Sequence, residues 1–387
     1  MKIILCITGS IAAVEDLKLV HQLQRSGFEV ECFMSPSACE LITPLSIEFA
    51  TKNPVNTKIT GYVEHVTNAQ ADLILVAPST ANTISKFANK IADTNVTTLL
   101  LTASGYDTPI LFVPSMHISM YRAIEENINK IKETHPQVHF MEPVNAERKA
   151  KFPSKEDIVL EVERMLTNDT FKDVNVIVTA GATVEPIDSM RVITNRSSGK
   201  MGVELAKEFY RRGANVTLLC GKLSTDIPAN FKSIHVESTQ EMLDVVSDSI
   251  SDTDIYVSAA AISDFKPENI NGSKISSDSD ITLKFIRLPK ILKMVKELNP
   301  NVFSVGFKAE AGLDEDGLIE KARSRIDDYG ADLMVANDIC LEGSGPGSNN
   351  NEVYLIDNTS NEKIPLDSKE FISQKIVEKI SELYNSH

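Results

Sequence analysis

Two apolar patterns alternate along the chain. Short aliphatic and β-branched runs at residues 3–7, 72–77, 109–113, 174–178, 254–259, 302–307, 332–336 and 353–356 have the near-continuous hydrophobicity of strands buried on both faces of a parallel sheet. Helical patterns intervene in nearly every gap. Residues 200–212, for example, set Met201, Leu205 and Phe209 on one face and close at Gly213. Residues 96–101, rich in Thr and Leu and opening on Val96, read as a further strand.

The same order of elements occurs twice. In the first copy a strand at residues 3–7 runs into the small-residue turn Thr8-Gly9-Ser10, then a helix ended by Arg25-Ser26-Gly27, then a strand reaching Cys32. In the second, residues 176–178 run into Thr179-Ala180-Gly181, then a helix ended by Arg211-Arg212-Gly213, then a strand reaching Cys220. This is the βαβ arrangement written twice. It predicts an α/β chain of two doubly wound, mostly parallel three-layer domains, with ligands at the carboxyl ends of the strands. A polar, Lys/Glu-rich segment at residues 147–172 reads as the last helix of the first domain plus a linker, giving domains 1–170 and 171–387.

The bulk numbers narrow the function. A chain of 387 residues with 42% hydrophobic and 24% charged residues suits a globular enzyme of two or three domains. Its net charge of −15 opposes nucleic-acid and anionic-membrane partners. No apolar run approaches the 18 or so residues of a membrane span, and the apolar N-terminus passes into Thr8-Gly9 without a cleavage pattern. Five scattered cysteines fit buried thiols in a reducing cytoplasm.

The strongest chemical signal is the run from Thr179 to Gly202, which joins a strand to a helix through Gly181, Asn195, Ser197, Ser198 and Gly199. Small residues there let backbone N–H groups approach an anion at a helix start, and Arg191, Arg196 and Lys200 add cations. Ala260, Asp264, Lys266 and Lys274 follow another strand, and Asp264 is the carboxylate suited to magnesium beside phosphates. Phe307 and Asn337 close two more strands, so four loops converge on one rim. The Gly343-Ser344-Gly345-Pro346-Gly347 run opens no helix and reads as a lid. In the first half, Ser79, Thr80 and Asn82 start a helix and either cap it, hold phosphate, or do both. Gly9, Ser10 and Ser35 stand at strand ends, Met116 suits the face of a flat ring, and His65 is a candidate acid/base.

Together these motifs resemble the bifunctional phosphopantothenoylcysteine decarboxylase and phosphopantothenate-cysteine ligase family of coenzyme A synthesis, in its archaeal form, over essentially the whole chain. The likeness implies two Rossmann-like domains: an FMN-binding decarboxylase first, then a ligase using CTP and magnesium to join 4'-phosphopantothenate to L-cysteine. By this resemblance His65 is catalytic in the decarboxylase, and Gly9, Ser10, Ser35, Thr43, Ser79, Thr80, Asn82 and Met116 line the flavin. In the ligase Asn195 and Lys274 are catalytic, Asn195 helping to form or stabilise an acyl-cytidylate and Lys274 binding the nucleotide. Gly181, Arg191, Ser197, Ser198, Gly199, Lys200, Ala260, Asp264, Lys290, Phe307, Arg325 and Asn337 bind substrate and nucleotide. Arg325 and Tyr329 stand where the family often has two lysines, His117 stands in place of an Asn, and residues 139–152 lack the flap Cys of bacterial relatives. A homo-oligomer and a cytoplasmic location also follow from the likeness. The alternative it leaves is an active ligase with a non-catalytic flavin-binding or regulatory first domain.

Overall fold

The computed structural model describes residues 1–142, 144–146, 149–276 and 280–386. The chain divides into two compact units, Met1–Thr167 and Asn168–His387.

In the first unit, β1 (Lys2–Ile7), β2 (Glu29–Met34), β3 (Val55–Asn56), β4 (Leu73–Ser79), β5 (Ile110–Pro114) and β6 (Val138–Phe140) form one sheet in the order β3-β2-β1-β4-β5-β6. All its pairings are parallel. Alternation along β1 shows the layering: Ile3, Leu5 and Ile7 pack with Leu19, Leu23 and Ile158 on one face, while Ile4 and Cys6 pack with Ile84, Phe87 and Leu99 on the other.

Residues 96–101 are not a strand. They belong to the helix Asn95–Ser104, which Thr94 caps through a reciprocal capping box with Thr97. The Thr98 and Thr102 hydroxyls bond back to the carbonyls of Thr94 and Thr98 at 2.7 and 2.8 Å, meeting their hydrogen-bonding needs inside the helix. Val96, Leu99, Leu100 and Ala103, at helical spacing, carry the buried face.

The second unit repeats the plan. Strands β7 (Asn175–Ala180), β8 (Asn215–Cys220), β9 (Lys232–His235), β10 (Ile255–Ser258), β11 (Phe303–Glu310) and β12 (Leu333–Asp338) lie parallel in the order β9-β8-β7-β10-β11-β12. Two antiparallel strands, β13 (Asn350–Ile356) and β14 (Asn361–Ser368), extend the edge. Helix Lys200–Arg211 buries Val203, Ala206 and Phe209, and packs on β7 and on the helix Lys369–Tyr384. The helices Thr239–Ser249, Ile291–Leu298 and Glu315–Tyr329 cover the opposite face.

In both sheets the strand order reverses beside the first strand. Crevices therefore open at the carboxyl ends of β1 and β4, and of β7 and β10.

Candidate active sites

At the first crevice, the Thr8 hydroxyl ties the two strand ends together. Its Oγ1 donates to the Pro78 carbonyl at 2.7 Å and accepts from the Thr80 N–H at 3.1 Å. A Cβ on Gly9 would come within 2.5 Å of Ser37 Cβ, so only glycine lets this turn lie against the residues after β2. Polar side chains ring the crevice, and most are committed to local structure. Ser10 accepts from Ala12 N–H at 3.5 Å and lies 3.2 Å from Ser115 Oγ, while Ser35 accepts from Ala38 N–H at 3.3 Å. Thr43 caps Pro44–Thr51 and Thr80 caps Ala81–Ala88. Thr80 is thus engaged as a cap, the first of the roles its position allows. Ser79 differs, because its hydroxyl is fully buried with no partner among the described residues.

His65 lies in the short turn Glu64–Thr67, entered through Val63 at φ +51°. A β-branched residue in this region is strained. Thr60 holds the turn: its hydroxyl and its N–H, the latter at 2.9 Å, both donate to the Glu64 carboxylate and keep that acid below the usual range. His65 Nδ1 is buried without a partner among the described residues. Met116 packs half-buried against the core, and Asn82 is exposed on the first turn of its helix. His117 is exposed and caps the helix Ile118–Ala123. The stretch where the resemblance sets a substrate flap lies partly outside the described residues, at positions 143, 147 and 148.

At the second crevice Thr179 makes the matching tie. Its Oγ1 donates to the Val257 carbonyl at 3.4 Å and accepts from the Ala260 N–H at 3.1 Å. Gly181 (φ +82°) and Gly199 (φ +77°) are packed together, for a Cβ on Gly199 would meet Gly181 Cα at 3.3 Å and Leu223 Cδ2 at 2.0 Å. Gly202 brings the helix onto the strand, since its missing Cβ would fall 2.7 Å from Ala180 Cβ. The helix start carries the Ser197 and Ser198 hydroxyls, which accept from the N–H groups of Gly199 and Lys200 at 3.3 and 3.4 Å. Backbone donors and small residues at a helix N-terminus form a surface suited to phosphate.

Two antiparallel hairpins overhang this crevice, and sequence patterning did not reveal either. The first, Val184–Pro186 with Val192–Thr194, carries Asp188 and Arg191 at its tip and Asn195 at its exit. The second, Phe265–Pro267 with Phe285–Arg287, is entered from Asp264, carries Lys274 in its loop and leads out to Lys290. Asn195 Nδ2 donates to the carbonyls of Ala261 and Ile262, both at 3.3 Å, and Lys290 Nζ donates to the Asp264 carboxylate. The buried Thr183 hydroxyl accepts from Ser263 N–H at 2.8 Å and Thr239 Oγ1 at 3.0 Å, anchoring the segment between β10 and the second hairpin.

Residues 171–384 match the family described as DNA/pantothenate metabolism flavoprotein C-terminal domain, and residues 1–167 match the family described as Flavoprotein. A coenzyme A biosynthesis bifunctional protein of Thermococcus kodakarensis is 46% identical, with 99% of this chain and 95% of that protein covered. One from Methanocaldococcus jannaschii is 39% identical over 100% of this chain and 94% of its own length. The chain belongs to the coenzyme A biosynthesis bifunctional family.

A solved C-terminal domain of a coenzyme A biosynthesis bifunctional protein is 26% identical over 57% of this chain and 100% of its own, with a TM-score of 0.49. As a member of the coenzyme A biosynthesis family the chain is a two-activity enzyme, ligase and decarboxylase, with a flavoprotein domain. Several residues that the sequence pointed to are not free at the second crevice. Arg191 is paired with Asp188 at 2.6 Å, and Lys200 Nζ donates to Gly347 O at 3.2 Å and Asn349 Oδ1 at 2.7 Å. Arg325 pairs with Asp328 on its own helix at 2.9 Å and lies over the Tyr329 ring. Phe307 and Asn337 lie within the last residues of β11 and β12 rather than in loops beyond them. The Gly343–Gly347 loop is fastened by the buried Lys369, whose Nζ reaches Ser348 O at 2.7 Å and whose pKa burial pushes down. Asp188 and Thr183 carried no predicted role, because short polar residues in a Gly- and Thr-rich run are indistinguishable from loop residues until their partners are known. Among the described residues no helix is long and apolar enough to cross a membrane, and no cluster of three or more acidic, His or Cys side chains could hold a metal.

Proposed function

We propose that the second unit joins 4'-phosphopantothenate to L-cysteine at the expense of CTP, and that the first unit decarboxylates the resulting phosphopantothenoylcysteine. In the ligase the substrate carboxylate attacks the α-phosphorus of CTP; an O–P bond forms, the bridging O–P bond breaks and pyrophosphate leaves. The amine of cysteine then attacks the acyl carbon, CMP leaves, and the amine proton passes to solvent. The helix start at residues 197–200 supports phosphate, and the ammonium groups of Lys274 and Lys290 offset charge that develops during transfer. Asn195 holds the acyl-cytidylate against the Ala261–Ile262 backbone.

A single carboxylate, Asp264, already paired with Lys290, fits a magnesium ion held mainly by triphosphate oxygens and water. Such an ion supplies charge neutralisation.

In the first unit the unpartnered Ser79 hydroxyl and the close turn at Gly9 fit a bound FMN, with Ser10, Ser35, Thr43, Thr80, Asn82 and Met116 around it. When bound, flavin supplies an acceptor, and later a donor, for an electron pair at the carbon bearing the substrate thiol. His65, with Nδ1 unpartnered, is available to take the thiol proton. In this reading the protein acts in the cytoplasm as a homo-oligomer.

The observation that carries the ligase is the joining of Thr179, Gly181 and Asn195 to the Ala260–Ile262 backbone across one switch point, with Gly199 packed on Gly181. Incubation with phosphopantothenate, cysteine, CTP and magnesium tests both steps by product mass. 4'-Phosphopantetheine is expected, and no mass gain from cysteine would remove the ligase. The absence of a Cys in residues 139–152 favours a second reading, a flavin-binding first unit without decarboxylase activity. That reading predicts that phosphopantothenoylcysteine accumulates without release of carbon dioxide.

A further inference from the structure

The two hairpins over the second crevice are stitched together by one buried carboxylate. The Asp188 side chain, fully buried, accepts from Met190 N–H at 2.8 Å, Arg191 N–H at 2.7 Å, Ile275 N–H at 3.1 Å and Arg191 Nη1 at 2.6 Å. The same Arg191 nitrogen donates to the Ile275 carbonyl at 3.1 Å, so Ile275 is gripped at both its N–H and its C=O. A second stitch runs from Asn271 N–H to the Ile187 carbonyl at 3.1 Å. Lys274 lies between the two stitches, its backbone fixed by its neighbours and its side chain exposed.

A buried carboxylate is unfavourable unless its oxygens are met, and a tight turn needs donors only from its own residues. Asp188 instead takes one donor from a segment 87 positions away. The arrangement fixes the loop of one hairpin against the tip of the other.

We infer that Asp188 is a positioning residue for the ligase: through Arg191 and Ile275 it sets where the Lys274 ammonium stands. The inference rests on the reading of Lys274 as the cation that meets the nucleotide phosphates. Arg191 then serves the clasp, and a displaced Lys274 weakens transfer even though every phosphate-binding group remains.

The test compares CTP-dependent ligation by the full-length D188N, K274Q and D188N/K274Q variants. The amide of D188N keeps the size but turns a donor toward groups that are themselves donors. A displacement of about 1 Å can lower a rate on the order of 100-fold, so D188N is expected to lose up to that much in kcat. The double variant should lie within about twofold of K274Q, because a residue acting through Lys274 has nothing left to position. Trypsin should also cut after Lys274 faster in D188N, with cleavage elsewhere unchanged. If D188N does not fold, R191K replaces it. That variant keeps the charge but has a shorter reach and lacks the planar group whose Nη1 meets both the Asp188 carboxylate and the Ile275 carbonyl, and the same non-additivity with K274Q is expected. A wild-type rate in the clasp variant, or losses that multiply in the double variant, overturns the inference. Wild-type ligation by K274Q is a separate result, which removes the reading of Lys274 and the clasp's purpose with it.

Discussion

Thr8 and Thr179 occupy the same node in two copies of one fold. Each follows or ends the first strand of its sheet, donates to a carbonyl near the end of the fourth strand, and accepts an N–H from the loop beyond it. The hydroxyl takes over a bond that the diverging strands no longer make for themselves. Both crevices are therefore held open at a fixed width by one buried side chain each.

Replacing either threonine with valine keeps the shape and removes the tie. Each change leaves a donor and an acceptor unmet, a loss of about 1–3 kcal/mol per buried group. T8V should depress decarboxylation and flavin retention with ligation intact, and T179V should depress ligation alone. Separate assays of the two steps check this, and equal damage to both by either variant would contradict independent crevices.

Ser79 gives a sharper test of the flavin site, because its buried hydroxyl lacks a partner among the described residues. S79A removes an unmet polar group, so flavin-free protein should gain up to about 1 kcal/mol in urea unfolding. FMN binding should weaken by a similar amount, about fivefold in Kd by fluorescence titration. Unchanged affinity would mean that the hydroxyl does not face the cofactor.

Where one periodicity dominated, the sequence was readable. The β1 and β7 runs, the small-residue turns and the helix at Lys200–Arg211 all lie where apolar spacing puts them. Residues 96–101 misled because Thr and Val favour strands in isolation, whereas Thr94 and Thr97 together offer a cap that propensity alone does not weigh. Short β3 and β9 escaped because their residues are mostly part-exposed and polar. Motif spacing named Asn195 and Ala260, both of which the structure sets at the 260–262 segment beyond the strand Ile255–Ser258. It could not show that Arg191 and Lys200 were already engaged, since their partners, Asp188 with Ile275 and the 347–349 loop, include segments remote in the chain.

Asp16 predicts an unusual dependence on pH. It opens the helix Asp16–Arg25, is fully buried, and neither of its oxygens has a partner among the described residues. Burial pushes its carboxyl well above the usual range, and neighbouring Glu15 adds to the effect. A group raised in the fold contributes stability that is complete below its unfolded value of about 3.9 and is lost as pH rises through its folded value. D16N does not titrate, so its stability relative to wild type should increase from pH 5 to pH 8. Thermal unfolding at several pH values checks this; a difference that stays flat would show that Asp16 is not carrying a raised carboxyl.

Asn195 separates the two activities most cleanly. Its amide donates to two backbone carbonyls of the segment that leads to Asp264, so it is a brace in the structure, beside the substrate role proposed for it. N195D keeps the shape and sets a carboxylate against those carbonyls, which repels the segment and places a negative charge beside the proposed acyl-cytidylate. A displaced brace that shifts the site by about 1 Å costs on the order of 100-fold in rate. Ligation should fall by that factor while carbon dioxide release from supplied phosphopantothenoylcysteine is unchanged, because His65 and the Thr8 crevice lie in the other unit. Pyrophosphate release measured without cysteine then divides the two roles. If it persists while amide formation stops, Asn195 acts after the acyl-cytidylate has formed; if both stop, the brace sets the nucleotide pocket itself.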